Sequence, residues 1–451
     1  LCKTRRLICK FFRRRVLSFI NKSSLTRIGT FQQADKGSRW GYDQFLSSAV
    51  RIIDSPAMGI MMRIAQIAPL TEAVPPKLYG GTERVVAYLT DALVELGHDV
   101  TLFASGDSRT KANLSSVWPR AVRLDPAVKD HFAPLFMQLE TVAQRAHQFD
   151  VIHCHLDYFG FPLLRRLGTP SVTTLHGRLD LPELPPLYSL YGDMPVVSIS
   201  DSQRKPLPEA NFVATVLHGL PENLLRQGEG RGGYLAFLGR ISPEKAPDAA
   251  IRIAARAGLP LKIAAKIDRV DREYFSTVVE PLLSQGKVEF IGEIREDQKQ
   301  AFLGNAAALV FPIAWCEPFG LVMIEAMACG TPVIAFENGS VPEVLEDGVT
   351  GFIVHGEDQA VEAVRRIGTL DRARIRGEFE RRFTAQRMAR NYLTLYARLA
   401  QARRLPALRA GTARDEIRTR SLLTHTAAAN AATSESAAAP VRAEAGGAVL
   451  S

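Results

Sequence analysis

Two successive runs of alternating strands and helices predict an α/β protein made of two doubly wound parallel-sheet domains. The first run has strand-like segments at 63–69, 98–105, 149–155, 171–176, 196–200 and 212–219. The second has them at 234–240, 261–266, 288–293, 308–313, 332–336 and 351–354, with helical stretches between. Short apolar strands alternating with helices give parallel sheets covered on both faces. The polar run RQGEGRGG at 226–233 reads as the linker between them, and 451 residues leave room for two full cores.

Taken in order, RIAQIAP (63–69) is the first strand. A loop with Pro75, Pro76, Gly80 and Gly81 follows, and then TERVVAYLTDALVELG (82–97), an amphipathic helix ended by Gly97. The predicted organisation is a basic extension over 1–61, a first domain over 62–225, the linker, and a second domain over 234–377. A helix over 378–402 returns to the first domain, and a tail over 403–451, Ala/Thr/Ser-rich from about Arg420, reads as disordered. The strand–helix units do not recur at a fixed period, which excludes a solenoid.

The formal charge of +9 belongs to the ends. Residues 1–61 carry 12 Lys/Arg against 3 Asp, and residues 403–451 carry 7 Arg against 4 acids, which leaves the body at −3. Basicity is therefore no argument for nucleic acid. The basic segment reads either as translated upstream sequence, the favoured reading because Met61 and Met62 sit just before the first strand, or as an anchor on anionic lipid. Its apolar residues are interrupted by Arg13–Arg15 with no cleavage pattern, unlike a secretory signal. Five cysteines without pairing or C-x-x-C spacing suit a reducing compartment, so a cytoplasmic location is expected, with peripheral membrane contact left open.

The most informative stretch is CEPFGLVMIEAMACGTPVIAF (316–336). Glu317 and Glu325 bracket a Pro-Phe-Gly turn, and Leu321 onward fits a buried helix stopped by Gly330 and Pro332. The amides at Phe319, Gly320 and Leu321 and the two carboxylates make an anion site edged by acceptors. Gly80 and Gly81 open a helix after a strand, where glycine lets backbone approach a phosphate, although the loop itself is not a G-x-G-x-x-G. Arg240 and Lys245 in FLGRISPEKA lie across a Pro-containing turn and can stabilise charge on a leaving diphosphate. His176 ends a strand, where α/β sheets put their sites. His153 and His155 share one strand face but lack further ligands, and no D-x-D occurs, so no metal site is expected.

Taken together these motifs resemble family 4 of the retaining glycosyltransferases, the group 1 enzymes. The resemblance runs collinearly over roughly 62–400: Gly-Gly loop, VIHCH, LHG, VLHG, GR-x3-EK, E-x7-E with GTPVI, and GSVPEVLEDGVTGFIV. It implies the GT-B fold, two Rossmann-like domains facing across a cleft, and transfer of a hexosyl group from a nucleoside-diphosphate sugar to a hydroxyl of a glycan, lipid or small molecule. It implies no cofactor and no metal. His176 would hold the sugar from the opposite domain, Glu317 the sugar hydroxyls, Glu325 the ribose, and Arg240 and Lys245 the diphosphate. Gly80, Gly81, Phe319, Gly320 and Leu321 would line the donor site. Ala265-Lys266 departs from the glycine that many relatives carry there, which leaves the nucleotide base open. A nucleotide-sugar epimerase of the same fold and a non-catalytic nucleotide-sugar-binding protein are the alternatives. A phosphorylase is disfavoured by chain length, and a nicotinamide dehydrogenase by the lack of a glycine fingerprint at the first strand-to-helix turn.

Overall fold

The computed structural model describes residues 61–404 except Tyr79, Gln285 and Gly286. The readings of the basic segment up to residue 60 and of the tail beyond 404 lie outside the described residues. Seven parallel strands form the first sheet: β1 (Arg63–Ile67), β2 (Asp99–Phe103), β3 (Asn113–Ser115), β4 (Val151–Cys154), β5 (Ser171–Thr174), β6 (Pro195–Ser198) and β7 (Asn211–Thr215). Their order is β3-β2-β1-β4-β5-β6-β7. Six parallel strands form the second: β8 (Leu235–Ile241), β9 (Leu261–Ile267), β10 (Val288–Gly292), β11 (Ala308–Phe311), β12 (Val333–Phe336) and β13 (Gly351–Val354), ordered β10-β9-β8-β11-β12-β13.

Both orders reverse direction beside their first strand, between β1 and β4 and between β8 and β11. In open α/β sheets that switch point opens a crevice at the carboxyl ends of the strands. The strands are apolar on both faces, with Ile64, Ala65 and Ile67 in β1 and Leu309 and Val310 in β11 fully buried, as helices on both sides require. β3 was not foreseen. Its sequence Asn-Leu-Ser is short, largely exposed and without an apolar pattern, and the parallel edge of β2 recruits it. Among the described residues no helix is long and apolar enough to cross a membrane.

One apolar cluster runs through both domains. It joins Ile64, Leu89 and Val197 of the first to Phe319, Met323 and Met327 of the second, and to Met388, Tyr392 and Tyr396 of the last helix. Burial on this scale, at ~25 cal/mol per Å² of apolar surface, holds the two sheets in one body.

The last segment differs from its expected form. The single helix predicted over 378–402 is two helices, Arg372–Arg382 and Ala385–Arg404, so the boundary at 377/378 falls inside the first of them. At the break the chain pairs with the strand exit of the first domain. Leu220 N–H donates to Phe383 carbonyl at 2.9 Å, and Ala385 N–H donates to Leu220 carbonyl at 2.7 Å. These bonds take over main-chain groups that an unbroken helix would use internally. The run 226–233 is not the crossing point either. Gly228, Gly230 and Gly232 donate main-chain bonds to Cys329, Gly304 and Asn305, which fastens the run to the second domain. The chain crosses instead where Leu220 and Thr384 meet.

A Cβ on Gly219 would lie 2.3 Å from the Thr384 carbonyl oxygen, backbone against backbone. Gly219→Ala is expected to cost about 1–3 kcal/mol, as overpacking at a rigid contact does. Urea denaturation of the full chain measures it, and an unchanged midpoint would mean that the crossing yields freely.

Candidate active site

A cleft of about 700 Å³ opens between the carboxyl edges of the two sheets. All ten residues singled out from the sequence line it: Gly80, Gly81, His176, Arg240, Lys245, Glu317, Phe319, Gly320, Leu321 and Glu325. The fold explains the convergence, because each lies at or just beyond the carboxyl end of a strand or on the helix that follows it.

The floor is the helix Leu321–Ala328. It is apolar on nearly every side and buried from Met323 onward, with Glu325 as its one charge. Gly320 starts it at φ 76°, in the left-handed region that favours glycine. The Ser340 hydroxyl donates to the Phe319 carbonyl and the Ser340 N–H to the Glu317 carbonyl, both at 2.9 Å, which braces the turn from behind. Across the cleft Gly80 sits at φ 153° and starts the helix Gly81–Glu95, which brings Gly81 close to Leu321.

The cations are not bare. Lys245 makes a very short contact with the Glu317 carboxylate, which also accepts from Trp315 Nε1 at 3.0 Å. The Lys245 ammonium lies 5.2 Å from the Trp315 ring centroid. Arg240 is ringed by Glu244 at 3.1 Å, Asp271 at 3.6 Å and Asp268 at 3.8 Å. Lys266, opposite Arg240 in the β8–β9 register, pairs with Asp268 at 2.7 Å. The sequence foresaw the cations but not their partners, since acids such as Asp271 arrive from a neighbouring strand end.

Glu325 is 2 % exposed and accepts from Lys299 Nζ at 2.7 Å. Lys299 also meets Glu296 at 3.2 Å, and Glu296 pairs with Arg84 of the first domain. Burial pushes the Lys299 ammonium down, and Glu325 pulls it back up. Three residues absent from the sequence reading therefore tie the deeper carboxylate to the opposite wall. Their only sequence trace is the i,i+3 spacing of Glu296 and Lys299. On that wall Glu83 is buried too, and burial raises its carboxyl above the usual range.

The domains are held together around the cleft. Ser200 Oγ donates to the Pro318 carbonyl at 2.7 Å. Glu343 lies outside the cleft and accepts from the Asp201 and Ser202 N–H groups at 2.7 and 2.6 Å, capping a short helix of the first domain. Arg178 bridges to Glu244 at 3.3 Å.

His176 enters from the first domain. Its Nε2 lies 2.9 Å from His155 Nδ1, its ring stacks on His218 at 5.3 Å, and its Nδ1 is buried without a protein partner. Burial pushes its imidazole down to about 3, and holds His153, His155 and His218 well below the usual histidine range. Asp157 is pushed up to about 6 by burial, opposed by the His176 backbone N–H. His153 and His155 face one another at 4.0 Å between ring centroids and spend their nitrogens on hydrogen bonds. Among the described residues no group of three or more His, Cys, Asp or Glu could hold a metal ion.

Comparison with known proteins decides the family. The model for group 1 glycosyl transferases matches residues 227–383, and that for glycosyltransferase family 4 matches residues 79–200. The chain belongs to the group 1, family 4 glycosyltransferases. It is 29 % identical over 268 residues to a D-inositol 3-phosphate glycosyltransferase of Streptomyces avermitilis, a match covering 49 % of this chain and 57 % of that one. The chain thus spans little more than half the length of that relative. AviGT4, a glycosyltransferase involved in avilamycin A biosynthesis, is 26 % identical and superposes with a TM-score of 0.58, over 75 % of this chain and 98 % of AviGT4. Anabaena HepE, 16 % identical with a TM-score of 0.59 over 75 % of this chain and all of HepE, shares the fold. The GT-B arrangement expected from the sequence is the one observed.

Three buried histidines, His153, His155 and His218, and the half-buried His176 make stability depend on pH. Unfolded, each takes a proton near pH 6.5, whereas in the fold the rings stay neutral, so the unfolded state binds more protons as pH falls. Each ring costs about 1.4 kcal/mol per pH unit below 6.5. Asp157 works the other way between 3.8 and about 6 and offsets one ring. Denaturation midpoints should therefore drop steeply from pH 7 to pH 5, and His218→Gln should shallow the slope by one proton's worth. A flat profile would contradict the burial.

Proposed function

We propose that this chain moves a sugar from a nucleoside-diphosphate donor to an acceptor hydroxyl with retention of anomeric configuration and without a metal ion. The observation that carries the proposal is the meeting of Arg240, Lys245 and the start of the helix Leu321–Ala328 in one cleft with His176 and Gly81 of the other domain. Two cations and a helix start beside one another suit a diphosphate, whose charge grows as the glycosidic bond breaks. HepE, of the same fold, was crystallised with UDP and with UDP-glucose, which supports a nucleotide sugar as donor.

The ion pairs define how the site would work. An entering diphosphate takes Lys245 from Glu317 and Arg240 from its three acids, so cations already held in place exchange one anionic partner for another. Little side-chain order then remains to be created on binding. Glu317, freed of Lys245, becomes an acceptor for sugar hydroxyls. The acceptor attacks on the face the diphosphate vacates. The leaving oxygen then takes the acceptor's proton. Glu325, deep in the helix and fastened to Lys299, suits the ribose.

The direct test needs no acceptor. The chain is incubated with UDP-, GDP- and ADP-sugars and release of the nucleoside diphosphate is followed. Slow hydrolysis of one donor, undiminished by EDTA, is expected. Failure with every donor, or conversion of the donor to its epimer, would overturn the reading. Activity lost in EDTA and restored by magnesium or manganese would overturn the metal-independent clamp.

The two carboxylates should separate in their effects. Glu325→Gln removes a charged hydrogen bond and should weaken binding of free nucleoside diphosphate by roughly tenfold to a hundredfold, ~1.5–3 kcal/mol. Glu317→Gln releases Lys245 from its pair, so diphosphate affinity should hold or rise while turnover falls by a similar factor. Calorimetry beside steady-state kinetics decides, and equal losses of affinity in both variants would refute the assignment.

A further inference from the structure

β1 carries a glutamine in its buried middle. Gln66 is fully buried between Ala65 and Ile67, where an unsatisfied amide would cost several kcal/mol, ~2–7 by transfer. Both its ends are used. Oε1 lies 2.8 Å from His155 Nε2, and Nε2 donates to the Tyr396 hydroxyl at 3.1 Å. Tyr396 belongs to the helix Ala385–Arg404, and its hydroxyl lies 2.6 Å from His153 Nδ1.

An amide oxygen can only accept, so His155 Nε2 must carry its proton. Burial keeps His155 neutral, so it has no second proton and its Nδ1 is a lone pair. That lone pair faces His176 Nε2 at 2.9 Å, which must therefore carry the proton of its own ring. The remaining nitrogen, His176 Nδ1, is left as a lone pair, buried and without a protein partner, on a residue that lines the cleft.

We propose that Tyr396, Gln66 and His155 form a buried relay that fixes His176 in its Nε2–H tautomer and so makes its Nδ1 a dedicated hydrogen-bond acceptor for a hydroxyl of the substrate. Gln66, His155 and Tyr396 are positioning residues, since none of the three lines the cleft. The assignment of the hydroxyl to a sugar rests on the transferase reading, whereas the tautomer does not. An acceptor nitrogen here takes an O–H and repels a phosphate or carboxylate oxygen. It therefore keeps the charged half of the donor on the Arg240 and Lys245 side and leaves the His176 side to neutral hydroxyls.

Two-dimensional long-range ¹H–¹⁵N NMR of the full chain labelled in histidine tests this, with His176 assigned by its loss in His176→Asn. The expected spectrum shows His176 protonated at Nε2 alone at neutral pH. An Nδ1–H tautomer or an imidazolium would overturn the relay, whether or not any variant folds. Gln66→Met removes the obligatory acceptor and should mix the His176 tautomers, with turnover of the nucleotide sugar down about tenfold. A Gln66→Met protein with an unchanged His176 spectrum would also overturn the relay. The expected tautomer in a protein that turns over no nucleotide sugar would uphold the relay and defeat the transferase reading.

Discussion

The cleft exists in its observed shape because two passes of main chain are stitched together at Leu220 and Thr384. Each sheet alone would end in a crevice at its carboxyl edge. The pairing of the strand exit of the first domain with the break before the last helix fixes the point at which the chain passes from one body to the other. The last helix then lies on the first domain, so the C-terminal chain is shared between the two bodies. Gly219 belongs to the same constraint, since a side chain at that point would push one pass away from the other.

Around that geometry the cleft is arranged as a set of satisfied charges. Lys245 with Glu317, Arg240 with its three acids, and Lys299 with Glu325 leave few bare ions facing solvent. A buried charge without a partner is costly, and pairing avoids that cost while fixing each side chain in one rotamer. Under the proposed reaction the resting protein resembles its own complex, with carboxylates occupying the places a diphosphate would take.

Much of this was legible in the chain. The strands announce themselves as short β-branched apolar runs, and in a parallel sheet their common direction implies which ends gather, so His176 could be placed at a carboxyl strand end of the first sheet and Arg240 at one of the second from the sequence alone. The short edge strand Asn113–Ser115 gave no such signal, because it is recruited by the neighbour it pairs with. The break at Phe383–Thr384 was hidden for a related reason: the local sequence is helical throughout, and a tertiary contact overrides it. Least legible were the partners. Lys299 and Arg84 reach Glu325 and Glu296 from helices distant in the chain, and nothing in the spacing of Gln66 and Tyr396 says that they meet two histidines. Periodicity reports which face a residue presents, and leaves the identity of what faces it unspecified.

Glu343 gives the two-domain body a threshold. Its carboxylate receives two helix N–H groups of the first domain from its seat on the second. Hydrogen bonds weaken steeply once stretched or bent, so these contacts resist small displacements and vanish together in a large one. Opening the cleft at this point would bare two amides and an anion at one stroke, so the two bonds are lost together rather than one after the other.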